Sequence, residues 1–250
     1  MTTKTRGYQQ DFSSIHSVMY SDEGRARKAA TMRIILAEAF GDRLRDLHVL
    51  NVGCSTGIID SELASSVGFV IGIDIDVGAI GFARDNYSSH NLEFRVGDAM
   101  NIDLPDSSCD VVICAQVYEH VPDPVRLMSE IERVLKPGGA CYFSATNRFN
   151  IIEQHYKLPF LSIIPVSWAN RYLQMLGRGR FYYERHMTHG ELCRLVGRFD
   201  VEDITPRLLD DPDRYAAGYM FSGVKLVIAR ILRRLAYRFF PGYIWLLWKR

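Results

Sequence analysis

Two apolar runs, each ending in a polar turn, most constrain what this chain can fold into. The first leads into a turn that holds Gly53 and Gly57, and the second ends at Asp74, 21 residues after Gly53. Continuous apolar runs are typical of buried parallel strands, and glycines let a turn pass close to a ligand. An acid at the end of the second strand can accept hydrogen bonds from ribose hydroxyls. The pattern predicts a parallel α/β sheet and a ligand that contains adenosine.

The glycine spacing argues against a dinucleotide. The dinucleotide fingerprint has three glycines, and its positions fall here on Gly53, Ser55 and Ile58, so two of the three fail. The chain also lacks the glycine-rich loop with Lys and Ser or Thr that cradles a nucleotide triphosphate. A ligand with an adenosine but no phosphate fits the pattern better.

Further motifs follow in order along the first half of the chain. After the glycine-rich segment 50–57 and Asp74 come the segments 97–99, 110–121 and 133–139. Over residues 45–147 this series resembles the class I S-adenosylmethionine-dependent methyltransferases, in the type 11 group that includes quinone-biosynthesis enzymes. One departure is Asn51, where the family usually carries an acid that helps to hold the methionine amino end.

Alternating strand and helix patterns predict a doubly wound α/β fold. The resemblance implies a mostly parallel seven-stranded sheet, a Rossmann-like methyltransferase fold with an antiparallel last strand and a cap formed by insertions. The predicted strands are 48–53, 69–74, 92–96, 110–115, 140–146, 199–204 and 243–248. The predicted helices lie near 24–40, 57–66, 77–88, 124–135, 190–196 and 224–239.

We expect one domain with four parts. These are an N-terminal helical segment at 1–45, a cofactor-binding core at 46–147, an acceptor cap at 148–198, and a sheet-completing part at 199–250 with a basic amphipathic helix. Ligands of such sheets bind at the carboxyl ends of the strands. The cap follows the fifth strand, so it is expected to lie over the active site.

The resemblance implies S-adenosylmethionine as the cofactor. Asp74 would bind the ribose hydroxyls, Asp98 the adenine amino group and Gln116 the methionine end, while Asp76 is expected to face solvent. The full predicted cofactor set is Asn51, Gly53, Cys54, Gly57, Asp74, Ile75, Asp98, Ala99 and Gln116.

The chemistry asks mainly for alignment of an acceptor with the methyl group, and a hydroxyl acceptor must also lose a proton. His120, after the fourth strand, is the predicted catalytic residue. The acceptor-pocket candidates are Asn147, His155, Tyr156, Tyr183 and His186. The scattered histidines include no metal-ligand motif, so no metal site is expected.

The predicted function is therefore methylation of a hydroxyl on a small or lipid-linked acceptor, either a quinone-type phenol or a sugar. Two alternatives remain open: a soluble small-molecule methyltransferase without membrane contact, and a non-catalytic module that only binds S-adenosylmethionine. Acceptor chemistry is not encoded in any single motif, so the residues leave both acceptor types possible.

Charge is concentrated at the carboxyl-terminal end. The net charge is +1, yet residues 224–250 hold seven basic residues and no acid, which leaves about −6 on the remainder. As a helix, 224–239 gathers Val224, Ile228, Ile231, Leu232, Leu235 and Phe239 on one face and Arg230, Arg233, Arg234 and Arg238 largely on the other. Either the apolar face packs on the sheet and the arginines are solvated, or the helix lies on an anionic membrane surface. Nucleic acid is not an expected partner.

The remaining features favour a cytoplasmic location, with or without peripheral contact to the inner membrane face. Residues 1–10 are polar and do not resemble a signal peptide. Five cysteines form no C-x-x-C pair, which suits a reducing compartment. No apolar run approaches the length of a membrane span.

Overall fold

The computed structural model describes residues 20–250, and the predicted features of residues 1–19 lie outside this part of the chain. Seven strands form one sheet. They are β1 His48–Val52, β2 Phe69–Asp74, β3 Leu92–Val96, β4 Cys109–Ala115, β5 Leu135–Thr146, β6 Phe199–Asp203 and β7 Gly242–Lys249. The helices are α1 Asp22–Phe40, α2 Ile58–Ala64, α3 Val77–Asn86, α4 Pro124–Val134, α5 Val166–Met175, α6 His189–Leu195, α7 Thr205–Asp210 and α8 Gly223–Ala236, with 3-10 turns at Gly41–Asp46 and Tyr237–Phe239.

The strand order is β3-β2-β1-β4-β5-β7-β6. Neighbouring strands are parallel except at β7, which runs antiparallel to both β5 and β6. The predicted fold class is confirmed. Because β6 is parallel to β5, the cap and the long connection that contains α7 and α8 both leave the sheet at its carboxyl edge.

Apolar side chains cover both faces of the sheet. Along β4, Val112 and Cys114 belong to one core, while Val111 and Ile113 belong to the other, as strand alternation requires. The first core is covered by α4, α6 and α8, and the second by α1, α2 and α7. The helices are thus divided between two layers, and the edge where the strands end is left for a ligand.

Two short helices were not expected. Pro165 stands at the N-cap of α5, where a missing N–H costs nothing, so this proline starts a helix. Likewise α7 carries Pro206 in its first turn. The cap is therefore more ordered than the irregular sequence of 148–198 indicated.

The amphipathic helix α8 is present, and of the two alternatives for its apolar face, packing of the whole face on the sheet is wrong. Ala229, Leu226 and Leu232 are the side chains that pack against the core. Most of the predicted apolar face is exposed to solvent: Val224, Ile228, Ile231, Leu235 and the following Phe239. Within residues 20–250, no helix is both long and apolar enough to cross a membrane.

Candidate active site

A cavity of about 430 Å³ opens at the carboxyl edge of β1, β2 and β4, a volume within the range of small-molecule sites. Ten of the predicted site residues line it: Asn51, Gly53, Cys54, Asp74, Ile75, Asp98, Ala99, Gln116, His120 and His155. The other five, Gly57, Asn147, Tyr156, Tyr183 and His186, do not line it.

Gly53 forms the turn at the end of β1. Its φ is 71°, and a Cβ there would lie 2.7 Å from Val117 Cγ2. The amides of Gly53 and Cys54 both donate to the carbonyl of Ile73, at 2.8 and 3.1 Å, so the turn folds back onto β2. A side chain at position 53 would therefore clash with Val117 in the cavity wall, which explains the glycine.

Gly57 does not line the cavity, and its role is structural. It begins α2 with a φ of 76°, and a Cβ there would lie 2.5 Å from Phe94 Cζ and 2.8 Å from the Cβ of Ala83. The glycine allows the helix to start in close contact with β3 and α3. The prediction that it contacts the cofactor is not supported by its position.

Asp74 is held at the end of β2 with its carboxylate facing two amides. Its Oδ2 accepts from the Ser55 amide at 2.7 Å and its Oδ1 accepts from the Asp76 amide at 2.9 Å. Burial raises the pKa of Asp74, and these N–H donors oppose that rise. Asp76 is only 5% exposed and caps α3 through the Ala79 amide at 3.0 Å, so the expectation that it faces solvent is wrong.

Behind Asn51 lies a second acid, Asp60. Asn51 Nδ2 donates to Asp60 Oδ2 at 2.9 Å, and both side chains are buried. Burial raises the pKa of Asp60 to about 7, against the lowering effect of the hydrogen bond from Asn51 and of nearby Arg25. Asp60 itself does not line the cavity, so it holds the Asn51 amide from behind; no motif in the sequence marked this acid.

Helix α1 adds positive charge to the same end of the cavity. Arg25 and Lys28 line the wall, and burial lowers the pKa of each. Arg27, two residues further along the helix, pairs on the helix surface with Glu23. The two cavity cations could balance a carboxylate.

Asp98 and Gln116 also line the cavity, and hydrogen bonds hold both side chains in place. Asp98 Oδ1 accepts from the Met100 amide at 2.8 Å. Gln116 has a φ of 61°, and its side chain donates to Ser144 Oγ at 3.1 Å and accepts from Thr146 Oγ1 at 2.6 Å. These residues and the cations of α1 fit S-adenosylmethionine: Asp74 would hold its ribose, Asp98 its adenine, and Arg25 with Lys28 its carboxylate.

Two histidines meet on the cavity wall beneath the cap. The rings of His120 and His155 are 5.0 Å apart and nearly perpendicular. His155 Nδ1 lies 2.8 Å from Glu153 Oε1, and Glu153 Oε2 accepts from the amides of His155 and Tyr156 at 2.8 and 2.7 Å. His120 Nδ1 lies 4.0 Å from the buried Glu184 Oε1.

These contacts set the charge of the pair His155–Glu153. Burial would raise the pKa of Glu153, but the hydrogen bond from His155, the nearby His186 ring and the Tyr156 amide hold it well below its usual value. Burial likewise opposes protonation of His155, yet the Glu153 carboxylate raises the pKa of that imidazole above its ordinary 6.5. Glu153 is an orienting carboxylate that the sequence reading did not single out.

The other acceptor-pocket candidates have supporting places. His186 lies behind the pair, with Nε2 3.6 Å from Glu153 Oε1. Asn147 is fully buried and donates to the carbonyls of Arg238 and Phe240, both at 2.9 Å, so it ties β5 to the segment after α8. The two tyrosine candidates pack on other aromatic rings. Tyr156 packs on Tyr182, and the exposed Tyr183 packs on Phe181.

Among residues 20–250, no group of three or more His, Cys, Asp or Glu side chains is arranged to hold a metal ion. The Glu153 carboxylate is engaged with the His155 imidazole and with the amides of His155 and Tyr156.

Comparison with known proteins agrees with this site. Residues 50–143 match a methyltransferase domain family of type 11. The ubiquinone biosynthesis O-methyltransferase of Coxiella burnetii strain Dugway 5J108-111 is 32% identical over 173 residues, 65% of this chain and 67% of that protein. Its counterpart from Idiomarina loihiensis is 28% identical over 199 residues, 77% of this chain and 78% of the relative.

A solved structure shares the fold. The S-adenosylmethionine-dependent methyltransferase of Mesorhizobium loti superposes with a TM-score of 0.57 at 17% identity, covering 86% of this chain and 96% of the other. The matched segment 50–143 contains the Gly53 turn, Asp74 and Asp98, which line the cavity. The chain belongs to the class I S-adenosylmethionine-dependent methyltransferases.

Proposed function

We propose that this enzyme methylates a phenolic hydroxyl, with His155 as the general base and Glu153 as the residue that positions it. The observation that carries the proposal is the contact of 2.8 Å between His155 Nδ1 and the buried Glu153 Oε1, on the wall of the cofactor cavity. A buried carboxylate that fixes an imidazole is a recurrent arrangement in proton-transfer catalysis.

S-adenosylmethionine, when bound, supplies a methyl group that its sulfonium has already activated. The protein has to orient the acceptor oxygen and remove its proton. With the Nδ1 proton of His155 directed at Glu153, the basic lone pair is on Nε2, the atom that takes the acceptor proton. The negative Glu153 then stabilises the imidazolium that forms, as its pKa-raising effect on His155 indicates.

His120 has a second role in this proposal. It lies next to His155 on the cavity wall, where it contacts the acceptor and keeps the His155 ring in place. The backbone N–H of His120 donates to the Val117 carbonyl at 2.9 Å, which fixes the turn that carries this side chain. We therefore assign the sequence-predicted catalytic residue to acceptor contact and His155 to the proton.

Three observations favour a phenol over a sugar hydroxyl. A phenol has a pKa near 10, close enough to that of a raised imidazole for proton transfer to assist methylation. Tyr142 and Tyr219 also line the cavity and offer flat apolar surface for an aromatic acceptor. The curated relatives are named as O-methyltransferases of ubiquinone biosynthesis, which supports an oxygen acceptor of this type.

The test is transfer of a labelled methyl group to an alkylated catechol, followed from pH 5.5 to 9.5. His155→Gln should reduce kcat by about 100-fold or more, the usual contribution of a general base, while binding of S-adenosylhomocysteine is unchanged. Tyr183→Phe, outside the cavity, is the control and should behave as wild type.

The variant Glu153→Gln keeps the size of the side chain and removes its charge. It therefore tests the effect of the carboxylate on His155 apart from packing. With the carboxylate removed, the pKa of His155 falls, so the rising limb of the pH–rate profile should move to lower pH while the plateau drops. The proposal is contradicted if His155→Gln keeps wild-type turnover, or if Glu153→Gln leaves the pH profile in place. Activity on sugar hydroxyls but not on catechols would overturn the acceptor class.

A further inference from the structure

The outer face of α8 is the largest feature that methyl transfer does not explain. Val224, Ile228, Ile231 and Leu235 recur at intervals of four, three and four residues, which places them in one stripe along the helix. Val224 is 74% exposed and Leu235 is 82% exposed. A continuous stripe of exposed aliphatic side chains usually marks a surface that contacts something else.

The helix is fixed in this orientation by its arginines. Arg230 donates from Nε to the Leu209 carbonyl at 2.9 Å, and Arg233 donates to the Pro206 carbonyl at 3.1 Å and to Asp210 Oδ1 at 2.7 Å. The acceptors belong to α7, on the protein side of α8. The arginines thus hold the helix inward by its basic face, and the apolar stripe is turned outward.

Cations border the stripe on both sides. At about 100° per residue, Lys225 and Arg234 fall roughly a quarter turn to either side of it, and both are exposed. Arg238 follows in the next turn and is exposed as well. An aliphatic stripe flanked by basic side chains matches the boundary of an anionic bilayer, with acyl chains in the middle and phosphates at the edges.

The cap extends the same chemistry. Phe239 lies in the 3-10 turn that follows α8, and Phe149 lies at the start of the cap. Their rings are in contact, with centroids 5.1 Å apart. Exposed apolar side chains continue in the cap at Phe160, Trp168 and Met175. Between residues 151 and 186 both acids, Glu153 and Glu184, are buried, while the five basic residues are exposed: Lys157, Arg171, Arg178, Arg180 and Arg185.

We propose that α8 and the adjoining cap dock this enzyme on the surface of an anionic phospholipid bilayer. A nucleic acid would match the basic residues but leave the aliphatic stripe in water. A second copy docked by the same face would set the cations against each other, because residues 223–250 of this chain contain no acid. A bilayer accounts for both features together.

Docking would also bring the cofactor cavity to the membrane. Tyr219 and Met220, just before α8, line the cavity, as do Gln154 and Lys157 from the cap. The docking surface therefore adjoins the segments that form the cavity wall, which suits an acceptor held in the lipid. The docking inference itself holds whether or not the acceptor is a phenol.

The test is flotation of the full chain with two vesicle types, one of phosphatidylcholine alone and one with about a quarter phosphatidylglycerol. Wild type should float with the anionic vesicles and much less with the neutral ones. The double variant Ile228→Glu/Leu235→Glu should lose at least about tenfold of that binding. The matched control is Val125→Glu. Val125 lies on α4 and is 58% exposed, against 59% for Ile228, and this variant should float as wild type does.

A second variant tests the charged flanks. Lys225→Glu/Arg234→Glu should remove the preference for anionic vesicles, and all variants should bind S-adenosylhomocysteine as wild type does because none of these residues lines the cavity. Three results would overturn the proposal: no flotation of wild type, equal loss in Val125→Glu, or a wild-type dimer that the Ile228→Glu/Leu235→Glu change dissociates.

Discussion

At the scale of single residues, Asp60 is the acid whose ionisation should govern how stability depends on pH. It is fully buried, its Oδ1 has no hydrogen-bond partner among residues 20–250, and burial raises its pKa from 3.8 to about 7. The folded protein therefore binds more protons at this site than the unfolded chain does between pH 4 and pH 7. Stability must then fall as pH rises through that window and level off above it.

We predict that Asp60→Asn removes this dependence. The amide keeps an oxygen that can accept from Asn51 but carries no charge at any pH. A shift of this size corresponds to about 4 kcal/mol at most, so the variant should exceed wild type by up to that amount at pH 8 and by less at pH 5. Urea unfolding of the cofactor-free proteins at both pH values measures it. A stability difference between Asp60→Asn and wild type that is the same at pH 5 and at pH 8 would contradict the raised pKa of Asp60.

The residues show where sequence reasoning succeeds. Asp74 and Asp98 follow directly from strand ends, because the carboxyl edge of a parallel sheet is fixed by topology. Asp76 did not, since its burial depends on the Ala79 amide that it caps. Glu153 and Asp60 were missed for a similar reason: each acts through a contact made only when distant segments pack, and no local pattern marks it.

At the scale of elements, the first turn of α2 depends on Gly57, a glycine that does not line the cavity. Gly57 has a φ of 76°, and a Cβ there would lie 2.5 Å from Phe94 Cζ. Gly81, in the middle of α3, has ordinary helical geometry and no atom within 4 Å of its Cβ position. The two positions form a matched pair for the same substitution.

We predict opposite effects of alanine at these sites. Gly57→Ala should lose about 1–3 kcal/mol of unfolding free energy through strain and overpacking. Gly81→Ala should gain about 0.5–1 kcal/mol, because alanine reduces the entropy of the unfolded chain and favours the helix. Chemical denaturation at one pH compares them. Equal effects of the two substitutions would contradict the conformational reason given for Gly57.

The hydrophobic pattern of a helix predicts the helix but not its orientation in the fold. The period of α8 predicted an amphipathic helix, and the helix is there. Its orientation depends on Arg230 and Arg233 reaching the carbonyls of α7, a tertiary contact that hydrophobic periodicity does not encode. Pro165 was ambiguous in the same way, because proline ends one helix or starts another according to its neighbours.

At the scale of the whole molecule, the sheet topology explains why the functional parts lie together. With β6 parallel to β5, both long insertions leave from the edge where β1, β2 and β4 present the cofactor residues. The cap brings His155 and Glu153 to the cavity, and the later insertion brings Tyr219 and Met220. The sheet positions the cofactor, and the insertions supply acceptor chemistry and the outer surface.

Binding of S-adenosylhomocysteine, measured by titration calorimetry, tests the central claim most directly. Wild type should bind with micromolar affinity. Asp74→Ala should bind at least about 100-fold more weakly, since the charged hydrogen-bond acceptor for the ribose is lost. Asp85→Ala, an exposed acid on α3, is the control and should match wild type. A folded wild type that does not bind, or an Asp74→Ala protein that binds equally well, would contradict the assignment of this cavity to the cofactor.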